Sequence, residues 1–205
     1  MSPDSPAGDW YQLACGSYNS ASQLISWLTN LRVTYVPPQE RPYQVAESAE
    51  STLTLPAPSI ETNPAQTAIV NFPTWLWVDP AVWHVWTTTA TAENISATAI
   101  ATPVQIDFDM GDGSRVVCNG PGEAFDEQRP PAAQTTGCSY TYTRTSAYRE
   151  SGVDTASPYF VVTAQILWDV TWVSVGEPGG GTLPPLTTTS SIDLGVEQIQ
   201  SLGGL

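Results

Sequence analysis

The chain contains no lysine, and six arginines stand against 20 acidic residues, which gives a formal net charge of −14 at pH 7. Such a chain repels phosphate groups, so nucleic acid and anionic membrane surfaces are poor partners. The acidic residues are spread singly along the chain rather than gathered into runs. This pattern indicates a surface that keeps the protein soluble outside the cell, with attraction to cationic partners or calcium as the alternative.

Histidine is nearly absent, which limits the metal and catalytic chemistry that the sequence can support. His84 is the single histidine and no Cys-x-x-Cys pair occurs, so we expect no zinc site, and a Ser-His-Asp triad has little support. Asp107, Asp109 and Asp112 do not fit a calcium loop either, because Gly111 stands where the third oxygen ligand belongs. We expect no metal, no cofactor and no catalytic residue.

Long apolar runs are missing as well. No stretch approaches the ~18 apolar residues of a membrane-spanning helix, and the chain does not open on a basic segment followed by an apolar one. We therefore expect an extracellular or cell-surface protein without a membrane span, whose signal peptide is not part of this sequence.

The residues that are present are typical of a folded protein. Hydrophobic residues make up 41% of the chain and charged residues 13%, a balance that suits folded rather than disordered proteins. Eight Trp and eight Tyr against four Phe favour interfaces or half-buried sheet faces, because the Trp and Tyr rings carry a polar atom that can stay hydrated.

The first 66 residues are predicted to form a helical or irregular extension with a Pro-rich connector. One short helix is predicted to begin at Asn19 or Ser20, with an apolar face made of Leu24, Ile25, Leu28 and Leu31. A second helix is predicted over 42–53, because Pro42 suits a first helical turn and the apolar residues after it fall on one stripe. Residues 55–66 form the connector.

From about residue 67 the apolar period changes from helical to two, which predicts strands over 68–78, 84–92, 95–101, 104–110 and 159–175. One face of the 104–110 strand is predicted to carry Val104, Ile106, Phe108 and Met110. The longest strand has an apolar face of Phe160, Val162, Ala164, Ile166, Trp168, Val170 and Trp172. This pattern favours a mainly β fold, an antiparallel β-sandwich over 67–178, followed by a Gly/Thr/Ser-rich tail over 179–205.

A tight turn is predicted directly after the 104–110 strand. Gly111 and Gly113 bracket Asp112 and can supply the positive φ angles that a tight hairpin needs, while the Asp can accept backbone N–H bonds. The turn belongs to a longer string, Phe108-Asp109-Met110-Gly111-Asp112-Gly113. That string is followed by Tyr140-Thr141-Tyr142 and then by Tyr159-Phe160-Val161-Val162-Thr163.

These three strings resemble the PKD (polycystic kidney disease) domain family, whose signature is a Trp-Asp-Phe-Gly-Asp-Gly string, a His-Thr-Tyr-like strand and a closing Tyr-x-Val strand. The resemblance covers residues 70–175, with Phe108 at the Trp position and Met110 at the Phe position. More loosely, the segment 72–77 and the helix at 42–53 look like parts of uncharacterised secreted actinobacterial proteins with this domain. The resemblance implies an immunoglobulin-like sandwich that serves in adhesion, spacing, or contact with protein or carbohydrate.

Cys118 and Cys138 flank a Pro- and Gly-rich loop with little apolar content. A disulfide between them would hold this loop, and the chain-entropy account gives it a stabilisation of ~3 kcal/mol; two reduced, buried thiols are the alternative. Cys15 is left over, which leaves open an intermolecular contact, a free thiol or another pairing within the chain.

Four tryptophans crowd into twelve positions: Trp75, Trp77, Trp83 and Trp86. They form either a Trp-rich core between two sheets or an exposed platform that stacks against sugar rings or a protein partner. The burial of these side chains decides between the two interpretations.

The sequence therefore predicts a non-catalytic extracellular interaction or scaffold module, which binds a protein or a carbohydrate through a β-sandwich surface and is not an enzyme. One alternative is a small secreted hydrolase of the glycosidase type, which would use a carboxylate pair. Another is a subunit of a cell-surface assembly that is joined through Cys15 or the tails.

Overall fold

The computed structural model describes residues 41–147 and 158–199 in full and, before them, Glu40 and four short strands by their backbone alone. These strands are β1 (Asp9–Gln12), β2 (Gly16–Tyr18), β3 (Leu24–Trp27) and β4 (Val33–Val36). They form two antiparallel pairs, β1 with β4 and β2 with β3. Cys15 lies outside the described residues.

The prediction of a helix that begins at Asn19 or Ser20 is wrong, because Leu24–Trp27 is strand β3 and pairs with β2. A short apolar run fits a helix and a strand equally well by its period. A β-branched and an aromatic residue, Ile25 and Trp27, favour the strand, and pairing with β2 satisfies its backbone groups.

The helix predicted over 42–53 is confirmed as α1 (Glu40–Ser51). Pro42 lies in its first turn, where a missing N–H costs no hydrogen bond. Val45, Ala46 and Ala49 are buried on one stripe. In the described part of the chain, no helix is long and apolar enough to cross a membrane.

Nine further strands follow α1 in the described residues, and their bounds are β5 (Ile60–Asn63), β6 (Thr67–Ile69), β7 (Pro73–Val78), β8 (Trp86–Ala92), β9 (Ile95–Asp109), β10 (Arg115–Cys118), β11 (Ser139–Thr141), β12 (Phe160–Val175) and β13 (Gly179–Glu197). Two short 3-10 helices span Pro80–Val82 and Pro131–Ala133. The prediction of a mainly β fold is confirmed.

These strands form two sheets. The larger has the order β10-β9-β12-β13-β6, and β8 also pairs with β9. The smaller has the order β11-β7-β5 and is antiparallel throughout. Strand β6 runs parallel to β13, whereas β10 runs antiparallel to β9.

Strand boundaries differ from the prediction at three places. The segments 95–101 and 104–110 are a single strand, β9, which continues through Pro103. The predicted strand over 68–78 is divided into β6 and β7 by a turn in which Asn71 has φ 63°. Residues 179–197, assigned to the tail, form β13 beside β12; their Thr-rich sequence has high β propensity, but only the neighbouring strand supplies the backbone partners.

By their internal contacts, the residues group into two compact units. Unit 1 combines residues 1–52, 88–99 and 172–181. Unit 2 combines residues 53–87, 100–171 and 182–205. Large, fully buried side chains of unit 2 form its core: Leu76, Val78, Ile106, Phe108, Met110, Tyr142, Val162, Ile166, Trp168 and Leu194.

The alternation predicted for the long strand is confirmed in β12. Its predicted apolar face is buried at every second position from Val162 to Trp172, and Phe160 is half-buried. The opposite face is exposed at Gln165 and Asp169. Inside, the Trp168 indole N–H donates to Thr188 Oγ1 at 3.0 Å, which satisfies the polar atom of a buried ring. The face predicted for 104–110 is buried at Ile106 and Phe108 of β9 and at Met110 directly after it, whereas Val104 is exposed.

The two faces of β12 predict very different costs of mutation. Ile166→Ala should lower the free energy of unfolding by about 2–5 kcal/mol, because it leaves a cavity in the packed core. Gln165→Ala, one position away on the exposed face, should change it by no more than about 0.5 kcal/mol. Chemical denaturation of both variants measures the difference. Equal losses would show that the register of β12 is wrong.

Candidate functional site

The turn between β9 and β10 is closed by its two aspartates. Gly111 and Gly113 have φ 74° and 95°, the left-handed conformations expected of this turn. Asp109 Oδ1 accepts the Gly111 N–H at 3.0 Å, and Asp112 Oδ1 accepts the Ser114 N–H at 2.9 Å. These short-range bonds hold the hairpin, so the aspartates act as turn residues.

Asp112 also connects the turn to the second of the three strings named above, Tyr140-Thr141-Tyr142. The Tyr140 hydroxyl lies 2.8 Å from Asp112 Oδ2 and 2.8 Å from Ser114 Oγ. The Tyr142 hydroxyl donates to the Met110 carbonyl at 3.0 Å. Both carboxylate oxygens of Asp112 therefore have partners within the protein.

The third string joins the same cluster through its rings. Tyr142 stacks on Phe160 with centroids 5.4 Å apart, and Tyr140 meets Tyr142 edge-on at 4.8 Å. The Arg144 guanidinium lies over the Phe160 ring at 5.8 Å. Burial raises the pKa of Tyr142 above its ordinary value of 10.0. The three strings thus meet in one internal contact cluster.

The Cys118–Cys138 disulfide is confirmed, with Cα atoms 5.5 Å apart. It ties the end of β10 to the residue before β11. The loop between the cysteines makes its own contacts: Glu123 Oε2 accepts the Thr136 hydroxyl at 2.6 Å and the Gly137 N–H at 3.1 Å. The bond from Thr136 lowers the pKa of Glu123.

Trp75 and Trp77 lie on the outer face of the smaller sheet, which we call the tryptophan face. Trp77 stands opposite Glu61 and Trp75 opposite Asn63 in the β5–β7 ladder, and cross-strand partners share a face. The other face of β7 is buried throughout, at Thr74, Leu76 and Val78. Trp75 and Trp77 are therefore not core residues, although the buried Trp168 and Trp172 are.

The disulfide loop covers part of this face. Phe125 meets Trp75 edge-on with centroids 5.2 Å apart, and the Val78 N–H donates to the Pro121 carbonyl at 2.8 Å. A Cβ on Gly122 would lie 2.8 Å from the Trp77 Cβ, so the loop backbone rests directly against β7. The loop supports both tryptophans from one side, yet they stay half-exposed.

Two further tryptophans follow β7 in the chain. Trp83 and Trp86 are half-buried, and the exposed His84 ring lies 4.5 Å from the Trp86 ring. Val85 is 49% exposed. The Trp86 indole nitrogen is buried without a hydrogen-bond partner in the described structure. All four predicted platform tryptophans thus keep some accessible surface.

A cleft of about 720 Å³ lies between β5 and β13. Its lining residues are Ile60, Glu61, Thr62, Ala65, Gln66, Thr67, Tyr159, Ile192 and Asp193. Sequence reasoning missed this cleft, because its two carboxylates, Glu61 and Asp193, stand far apart in the chain and carry no motif. Only the approach of two strands brings them to one cavity.

Two hydrogen bonds involve residues that are close in the sequence to those that line the cleft. The Ser190 hydroxyl donates to the Pro58 carbonyl. The Gly195 N–H donates to the Gln66 carbonyl at 3.3 Å. Tyr159 is 49% exposed, and a Cβ on Gly195 would lie only 3.8 Å from its ring. The cleft therefore combines an aromatic wall, two carboxylates and several hydroxyl or amide groups.

The two turn glycines predict a graded effect of substitution. Gly111→Ala should lower the free energy of unfolding by about 2 kcal/mol or more, since the new Cβ would lie 2.7 Å from the Val161 carbonyl oxygen in addition to the strain of a positive φ. Gly113→Ala meets no atom within 4 Å and should lose only about 1 kcal/mol from backbone strain. Thermal melts compare the variants, and equal losses would contradict the close approach at Gly111.

The raised pKa of Tyr142 predicts an alkaline loss of stability. Because the pKa of the folded state is above the ordinary value of 10.0, the stabilisation is complete below pH 10 and declines as the pH rises beyond it. Tyr142→Phe should lose about 1 kcal/mol at neutral pH, through the hydrogen bond to Met110, but should show a shallower alkaline decline. Denaturation curves at several pH values test this, with Tyr159→Phe as control; an unchanged slope in Tyr142→Phe would refute it.

The chain matches no protein-family model, and no curated protein or solved structure matches it.

Proposed function

We propose that the protein is a non-catalytic extracellular interaction module, a PKD-like β-sandwich that binds a protein or carbohydrate partner through its tryptophan face. The observation that carries this proposal is the placement of Trp75 and Trp77. They lie half-exposed on the outer face of the smaller sheet, while the inner face is buried without them.

The sandwich assignment is supported by the connections between the sheets of unit 2. Each sheet has a buried face, and the disulfide and the Tyr140–Asp112 contact link the hairpin of the larger sheet to β11 of the smaller. Side chains from all three PKD-like strings meet in this cluster. Their mutual contact gives a physical reason why these three strings, which lie far apart in the sequence, occur together in one chain.

An interaction role fits the chemistry of the tryptophan face. Trp side chains carry large apolar areas and an N–H donor, and they are enriched at the energetic centres of interfaces. The disulfide loop holds the rings in place through Phe125 and Gly122. A preordered surface loses less conformational entropy on binding than a mobile one.

An extracellular location is supported by two features. Disulfides form and persist mainly in oxidising compartments, and Cys118 is bonded to Cys138. The net charge of −14 favours solubility, because copies of the chain repel one another. Both features fit a surface or secreted module.

The test compares variants of the tryptophan face in binding assays with insoluble polysaccharides and purified cell-surface proteins. Trp75→Ala and Trp77→Ala should each weaken binding by at least about tenfold, the loss expected of an interface hot spot. Val161→Ala, at an exposed position of β12, should bind like the wild type. Far-UV circular dichroism checks that each variant is folded.

Two outcomes would overturn the proposal. Retention of binding in both tryptophan variants would place the interface elsewhere. Release of reducing sugar from a polysaccharide, lost in Glu61→Gln or Asp193→Asn, would favour the hydrolase with a carboxylate pair instead.

A further inference from the structure

Strand β5 lies at the end of the smaller sheet. Its one strand neighbour in the described residues is β7, so its second edge has no strand partner within that part of the chain. The unpaired N–H and C=O groups of such an edge can form a ladder with an added strand.

Strand β13 has a similar edge. It is flanked by β12 on one side, while β6 covers the other side over Gly195–Glu197. Before Gly195, this second side of β13 has no strand neighbour in the described structure. Pro184 and Pro185 lie in the first part of β13 and lack N–H donors, which discourages pairing there. Ile192 and Asp193, farther along the strand, carry no such protection.

These two edges border the cleft. Three consecutive residues of β5, Ile60–Thr62, line it together with Ile192 and Asp193 of β13. Successive side chains of a strand point to opposite sides, so a lining of consecutive residues indicates that the cleft lies along the strand edge. Its volume of about 720 Å³ falls in the range of ligand sites, roughly 300–1,000 Å³.

The side chains along the cleft differ between its two sides. Ile60 is buried and Ile192 half-buried, whereas Glu61 and Asp193 are exposed. Within the described residues, neither carboxylate takes part in a hydrogen bond or ion pair. An extended chain in the cleft would therefore direct every second side chain toward the isoleucines and the alternate ones toward the carboxylates.

We propose that this cleft accepts an extended segment of a partner polypeptide with alternating apolar and basic residues, which adds as a strand to the free edge of β5. Main-chain hydrogen bonds would provide the affinity of such strand addition, and the alternating side chains its specificity. The exposed Tyr159 ring offers a further contact for an arginine or lysine. The net charge of −14 would speed the approach of a basic segment. Neither Trp75 nor Trp77 lines this cleft.

The test uses the whole chain and a short synthetic peptide of alternating valine and arginine, with calorimetry as the binding measurement. One control peptide carries glutamate in place of arginine, and another carries N-methyl groups on the amides of one edge. The basic peptide should bind, the acidic one should not, and N-methylation should weaken binding by at least about tenfold because it removes the ladder bonds.

Variants of the protein locate the site. Glu61→Gln and Asp193→Asn should each weaken binding of the basic peptide by about three- to tenfold. Asp169→Asn, on the exposed face of β12, should leave this binding unchanged. On binding, the amides of β5 should gain protection from hydrogen exchange. Failure of the basic peptide to bind would overturn the proposal, as would equal binding of its N-methylated form, which would reveal charge attraction without strand addition.

Discussion

The contact between Asp112 and Tyr140 is the interaction on which the rest of unit 2 depends. One carboxylate oxygen closes the hairpin turn of the larger sheet through Ser114, and the other lies 2.8 Å from the Tyr140 hydroxyl of the smaller sheet. A hydrogen bond to a charged acceptor is stronger than a neutral one. The turn and β11 are therefore held together. Backbone hydrogen bonds then connect β7 to β11 and β5 to β7.

The disulfide adds a covalent connection near the same strand. Cys138 directly precedes β11, and its carbonyl accepts the Leu76 N–H at 3.0 Å. With this region fixed, the smaller sheet buries Leu76 and Val78 and leaves its tryptophans outside. At the far side of the sheet, β5 borders the cleft and pairs with no second strand among the described residues. The same arrangement thus explains why the aromatic face is packed against the disulfide loop and why β5 lies beside the cleft.

Features encoded over short distances were predictable from the sequence. The alternation in β12 fixes which residues are buried, because a strand with one uninterrupted apolar face must cover it. Pro42 and the apolar stripe after it mark α1. Gly111 and Gly113 mark the turn, since few other residues adopt a positive φ at low cost. The Pro- and Gly-rich loop between Cys118 and Cys138 favoured their pairing, because a loop with little apolar content gains from a covalent link.

Tertiary structure decided the features that depend on residues far apart in the chain. Leu24–Trp27 and the Thr-rich segment of β13 are strands because neighbouring strands satisfy their backbone groups. The alternation of the sequence did not decide whether Trp75 and Trp77 are exposed. Alternation shows which side chains share a face of the sheet, but not which face is covered. Glu61 and Asp193 meet at one cleft only because the fold brings β5 and β13 to its two sides. Such long-range pairing leaves no local signal in the sequence.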